Sequence, residues 1–190
     1  MKTKSDSWGW YDLYNYGNIL CGLSEYDEAL LHYQKALELN TDEAMIWKNI
    51  SSCYYYRGEH KKELECLNKA LEINSNLTEA LISKGNTLGN IFKQYDEAIE
   101  LLDKAIKTTK DFAFLCSIYY WQAKFYHDLK QNKRALETIK KGLELSPGEN
   151  YFINLKLTVL ISSWKEDKEI EEEAEQMLKD FIKKIRKIFD

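Results

Sequence analysis

The stretch WYDLYNYGNILCGLSEYDEALLHYQKALELNTDE, Trp10 to Glu43, decides the fold. Its first half sets Leu13, Tyr16, Gly17 and Leu20 three and four residues apart. Its second half does the same with Tyr26, Ala29, Leu30, Tyr33, Ala36 and Leu37. Each set falls on one face of an α-helix. The break at Gly22 to Ser24 turns the chain back, so the stretch predicts two antiparallel helices.

The unit then returns three times. Ala36, Ala70, Ala105 and Gly142 recur at steps of 34, 35 and 37 residues, a period that predicts a stack of helix pairs. The second copy carries Trp47, Ile50, Ser51 and Tyr54, a turn at Gly58, then Leu64, Leu67, Ala70 and Leu71. The third carries Leu81, Gly85 and Leu88, then Tyr95, Ala98, Leu102, Ala105 and Ile106, with one extra residue in the turn around Phe92 to Gln94. The fourth carries Tyr119, Ala123 and Tyr126, then Ala135, Ile139, Gly142 and Leu143, and three further residues fall at the junction before it, around Thr108 to Asp111. Gly17, Ser51, Gly85 and Ala123 share one place in the unit, where two helices approach too closely for a larger side chain. Ala29, Ala98 and Ala135 share another, with Glu63 as the odd member. Tyr33, Trp47, Tyr54, Tyr119 and Tyr126 are expected to fill the wider gaps between pairs.

Trp47 with Tyr54, Gly17, Gly85, Ala29, Tyr33, Ala36 and Pro147 resemble the tetratricopeptide repeat pattern over about Trp10 to Gly148. The expected fold is therefore all-α, a right-handed superhelix of about ten antiparallel helices in a single array over 1–190. Its repeats would run at about 10–43, 44–77, 78–112 and 116–149, with a degenerate fifth pair and cap at 150–190. Ser146 and Glu149 around Pro147 suggest a capping box that starts a helix there, with Phe152, Ile153, Leu157, Leu160, Ile161 and Trp164 packing on the fourth unit. From about Asp167 a last helix aligns Ile170, Ala174, Met177, Leu178, Phe181, Ile182, Ile185 and Ile188, with acids Glu169 to Glu175 at its start and Lys183 to Lys187 at its end, as the helix macrodipole favours.

Composition narrows the function. With 27 basic and 31 acidic residues the formal charge is −4, which offers no footprint for nucleic acid or an anionic membrane. No apolar run approaches a membrane span or a secretory signal, so a cytoplasmic location is expected. Cys21, Cys53, Cys66 and Cys116 form no Cys-x-x-Cys pair and read as reduced packing residues. His32, His60 and His127 fall in different units without ligand spacing. No phosphate loop, metal pair or serine elbow occurs, so no enzyme, cofactor or metal site is expected.

The resemblance implies that the first helix of each unit lines a concave face that holds a peptide or protein segment. Projected onto it are Tyr14, Asn18, Lys48, Tyr55, Asn86, Tyr120, Lys124 and His127, flanked by Tyr11, Met45, Ser52, Ile82, Asn90, Tyr151, Asn154 and Thr158. Tyrosines, amides and a few cations suit backbone hydrogen bonds with apolar anchoring. Some relatives grip acidic chaperone tails with a carboxylate clamp. Here Asn18 and Asn49 match its amides, but Tyr14 replaces its first lysine and Glu79 and Ser83 replace later cations. A second reading pairs the stripe from Met177 to Phe189 with its copy in a homodimer, and a third makes the chain the recruiting subunit of a separate enzyme.

Overall fold

The computed structural model describes residues 8–163 and, beyond them, 170, 172, 174–177, 179, 180 and 183. The described residues hold nine whole helices and no strand: α1 (Trp10–Gly22), α2 (Tyr26–Leu39), α3 (Ala44–Tyr56), α4 (His60–Ile73), α5 (Thr78–Asn90), α6 (Tyr95–Thr108), α7 (Phe112–Asp128), α8 (Asn132–Leu145) and α9 (Asn150–Ser163). The described residues beyond 163 are helical as well. None of the described helices is long and apolar enough to cross a membrane.

The contacts divide the chain into two compact units, Met1–Thr108 and Thr109–Asp190. In the first, α1/α2, α3/α4 and α5/α6 are hairpins, α2 packs on α3, α4 packs on α5, and α1 also touches α3. In the second, α7/α8 is a hairpin, and α9 packs on α8 and touches α7. The stripes read from the sequence are largely the buried ones: Ala29, Ala36, Leu67, Ala70, Ala98, Leu102, Ala105, Ala135 and Ile139 have no exposed surface, whereas Tyr16, placed on the same face as Leu13 and Leu20, is exposed. Gly17 is required by its neighbour, since a Cβ there would stand 2.6 Å from Cε1 of Tyr33.

The hairpin turns are built alike. Ser24, Gly58, Lys93 and Lys130 adopt φ of 66°, 73°, 59° and 62°, the left-handed conformation that ends a helix. The next N–H returns to a helix carbonyl: Glu25 to Leu20, Glu59 to Tyr54 and Gln131 to Tyr126, at 2.8–2.9 Å. In the third hairpin Gln94 reaches Leu88 at 3.0 Å, one position further back, which absorbs the extra residue.

Two boundaries differ from the sequence reading. Asp111 caps α7 by accepting from the N–H groups of Ala113 and Phe114, so the helix starts at Phe112, four residues before the fourth repeat was expected to begin, and Thr109 to Asp111 stay outside both helices. The helix expected from Pro147 starts instead at Asn150. Ser146 ends α8, its carbonyl accepts from the Glu149 N–H at 3.3 Å, and Pro147 and Gly148 form the turn. Of the apolar residues expected to pack from α9, Phe152 and Leu160 are buried, while Leu157 and Ile161 are exposed. Ile170 and Ala174 are buried against Leu160, with Leu136 of α8 and Met177 beside them. Trp164, Leu178, Phe181, Ile182, Ile185 and Ile188, and with them most of the stripe invoked for a homodimer, lie outside the described residues.

Candidate binding face of the first helices

In the first unit, α1 and α3 touch side by side. On the opposite side α2 and α4 splay around a groove of about 300 Å³, floored by Trp47, Ile50 and Tyr54. The first helices therefore form the tighter side of this unit, where Tyr14, Asn18, Lys48 and Tyr55 were expected.

The structure brings Tyr14 and Asn18 together with Asn49. The Asn49 amide donates from Nδ2 to Tyr14 Oη at 3.1 Å and to Asn18 Oδ1 at 2.8 Å. The same Asn18 oxygen accepts from the Tyr33 hydroxyl at 2.8 Å. Tyr33 is only 1% exposed, and burial, followed by nearby Cys21 and Cys53, pushes its hydroxyl well above the ordinary tyrosine range. A buried phenol without an acceptor would be costly, so Asn18 completes the core while tying two hairpins together. Tyr33→Phe keeps the ring and deletes one hydrogen bond. It should lower stability by about 1 kcal/mol in urea denaturation, whereas an unchanged midpoint would show that the bond adds nothing.

Tyr55 is 48% exposed, edge-on to Tyr56 at 5.4 Å and His60 at 5.7 Å. Lys48 is half-buried, and its carbonyl accepts from the Ser51 and Ser52 hydroxyls. Asn86 holds Oδ1 away from solvent without a partner. It occupies the register of Asn18, but Leu102 stands where Tyr33 would offer a hydroxyl. Asn90 donates from Nδ2 to the Asn86 carbonyl at 3.0 Å. Ile82 is buried and lines no face.

In the second unit Tyr120 is edge-on to Tyr151 at 5.3 Å and to Trp121 at 5.2 Å. The Lys124 ammonium lies 4.8 Å from the Trp121 ring centre, a favourable cation–π distance. His127 is tied to the start of α8, its Nδ1 sitting 3.0 Å from Asn132 Oδ1. A pocket of about 560 Å³ opens beside Tyr120, lined by Phe112, Cys116, Tyr151 and Glu149 among others. Burial, then Cys116 and Glu149, pushes the Tyr151 hydroxyl up to about 12. The sequence reading missed this pocket because its wall, Phe112, was placed at the end of the third repeat, ahead of the fourth repeat expected from about 116. The apolar run from Phe112 to Leu115 was the available signal. Among the described residues no three His, Cys, Asp or Glu side chains are placed to hold a metal ion.

Comparison with known proteins agrees with this architecture. The chain is 28% identical over 166 residues to the TPR repeat-containing protein MJ1428 of Methanocaldococcus jannaschii, covering 81% of this chain and 28% of that protein. It is 28% identical over 91 residues to the Hsp70-Hsp90 organizing protein of Triticum aestivum, covering 48% and 16%. It is 32% identical over 85 residues to the mitochondrial import receptor subunit TOM70 of Saccharomyces cerevisiae, covering 45% and 14%. The chain thus spans less than a third of the length of each. Among solved structures, MamA from Desulfovibrio magneticus RS-1 superposes with a TM-score of 0.74 at 17% identity, covering 94% of this chain and 96% of that one. The first TPR of Spaghetti (RPAP3), bound to the HSP90 peptide SRMEEVD, gives 0.58 at 19% identity, covering 64% and 93%. At these identities the likeness is one of fold. The Tetratricopeptide repeat pattern matches residues 12–76 and again 117–149, together just over half of the sequence, and the chain belongs to the tetratricopeptide repeat family.

Proposed function

We propose that this chain binds a peptide or protein segment on the face formed by its first helices, and that its whole length serves as one repeat array. Tetratricopeptide repeat proteins act as protein–protein interaction scaffolds, and their fold is generally a non-catalytic one. The structural neighbour bound to an HSP90 peptide is an instance of such binding. The observation that carries the reading is the make-up of the first-helix face: exposed Tyr11 and Tyr55 with half-buried Lys48 in the first unit, and Tyr120, Lys124 and exposed Tyr151 in the second. Amphipathic rings beside cations supply large contact area and orienting charge at small entropic cost. An acidic tail held by a carboxylate clamp fits less well, because Tyr14 replaces the clamp's first lysine and its hydroxyl is engaged by Asn49.

The test is retention of partner chains on the immobilised protein, followed by titration of a peptide from the captured partner. Tyr55→Ala with Lys124→Ala should weaken that peptide by about tenfold or more. Unchanged affinity in a variant with an unaltered melting curve would remove the face from consideration.

A further inference from the structure

Two thiols meet between the first and second hairpins. Cys53, fully buried on α3, points its sulfur at Cys21 near the end of α1, with the sulfurs 3.7 Å apart across a separation of 32 residues. Cys21 is partly exposed, and all four cysteines of the chain are free. The contact follows from the repeat register. Cys21 occupies the place that Tyr55 has in the next hairpin, on the first-helix face, while Cys53 occupies the place of Ile19, on the side that packs against the preceding hairpin. One turn earlier, Asn49 ties α3 to Asn18 and Tyr14 of α1. The two helices are thus held together beside the thiols.

We propose that Cys21 and Cys53 are a modification site for a hydroperoxide, which converts them into a reversible disulfide joining α1 to α3. A disulfide brings sulfurs to about 2.05 Å, a closure of roughly 1.7 Å from the thiol contact, within the reach of side-chain rotation. The partly exposed Cys21 meets the oxidant first. Its thiolate attacks one oxygen of hydrogen peroxide, the O–O bond breaks, and the second oxygen leaves as water after taking up a proton. Cys21 is then a sulfenic acid. The Cys53 thiol gives up its proton and attacks the Cys21 sulfur, and the sulfenic oxygen departs as a second water. Two thiols are oxidised by two electrons and one peroxide is reduced to two waters. Burial, followed by the proximity of Cys21, pushes the Cys53 thiol up to about 12, so the closing step should quicken as pH rises.

The consequence is mechanical. The hairpins α1/α2 and α3/α4 are separate units of the stack that can part from one another by local opening. A covalent tie from α1 to α3 removes that freedom, and a dithiol reductant returns it.

The experiment treats the full chain with equimolar hydrogen peroxide, blocks remaining thiols by alkylation, and reads intact mass and joined peptides. The expected result is loss of two hydrogen masses in the monomer, a joined peptide containing Cys21 and Cys53, slower amide exchange in α1 and α2, and reversal by dithiothreitol. Cys21→Ser should abolish all of these, while Cys66→Ser with Cys116→Ser should leave them intact. Oxygen addition at Cys21 without a joined peptide, a joined peptide containing Cys66 or Cys116, or linkage between chains alone would each overturn the proposal. Because Cys21 lies at a partly exposed position, Cys21→Ser keeps the fold and the comparison stands if Cys53 variants do not.

Discussion

Phe152→Ala is expected to lower stability by about 3–5 kcal/mol, the range for deleting a fully buried aromatic ring. Phe152 has no exposed surface, and its ring lies directly over Gly142. A Cβ added at Gly142 would come within 2.6 Å of Cε2 and closer still to Cζ and Cε1. The pair follows a rule visible elsewhere in the chain. The register that holds Gly142 and Phe152 holds Ala36 and Ile46 between the first two hairpins, and Ala70 and Ala80 between the second and third, all buried. The largest ring meets the smallest residue, so the volume of the contact is shared unequally. Gly142→Ala should therefore destabilise, even though alanine favours a helix interior by about 1 kcal/mol, because a displaced ring costs about 1–3 kcal/mol. In the Phe152→Ala background the same change should stabilise. Urea denaturation of the four proteins gives the coupling directly. Additive effects would mean that the ring and the glycine do not share the space.

How much of this was readable in advance depends on whether the local signal and the repeat register agree. At Gly17 they do, since the period calls for a small residue and a Cβ there would collide with a ring; that ring is Tyr33, which was expected in the gap between pairs and lies instead against the partner helix of its own hairpin. At the hairpin turns only Gly58 announces the left-handed conformation, since Ser24, Lys93 and Lys130 adopt it without a sequence mark. At Pro147 the two disagree. Ser146, Pro147 and Glu149 have the spacing of a capped helix start, yet α8 closes on Ser146 and the chain turns before Phe152 drops into its register over Gly142. Burial of one ring outweighs a capping box worth about 1 kcal/mol.

The candidate face divides in the same manner. That Tyr55, Lys48, Tyr120 and Lys124 stand on first helices follows from periodicity, while the choice of their side as the binding one is what the resemblance to the repeat family implies. What a polar side chain on that face bonds to depends on a residue of the neighbouring helix, some thirty positions away for Asn18 and Asn49. His127 was projected outward, and Asn132 holds its ring. Nothing in a single helix's pattern encodes these choices. They arise once a buried hydroxyl or amide must find a partner.

The second large effect lies at the one place where the small-residue pattern fails. Thr87→Val is expected to cost about 1.5–3 kcal/mol, the worth of a hydrogen bond to a charged group, although the substitution preserves shape and both residues of the pair are 2% exposed. The Thr87 hydroxyl donates to Glu63 Oε1 at 2.5 Å, and His60 Nδ1 lies 2.9 Å from the other carboxylate oxygen. With valine at 87 the buried Oε1 loses its donor, and a half-satisfied carboxylate is worse than none. Glu63→Ala in turn installs the residue that Ala29, Ala98 and Ala135 already carry in the same register with no exposed surface. It leaves the Thr87 hydroxyl unpartnered and a gap that the neighbouring helices can narrow. The double variant replaces both polar partners by apolar groups and should lose less than the sum of the single changes by about 1.5–3 kcal/mol. Register alone predicts that Glu63→Ala stabilises and that Thr87→Val is silent. The carboxylate network predicts that both destabilise and that they couple, so four melting curves in urea separate the two accounts.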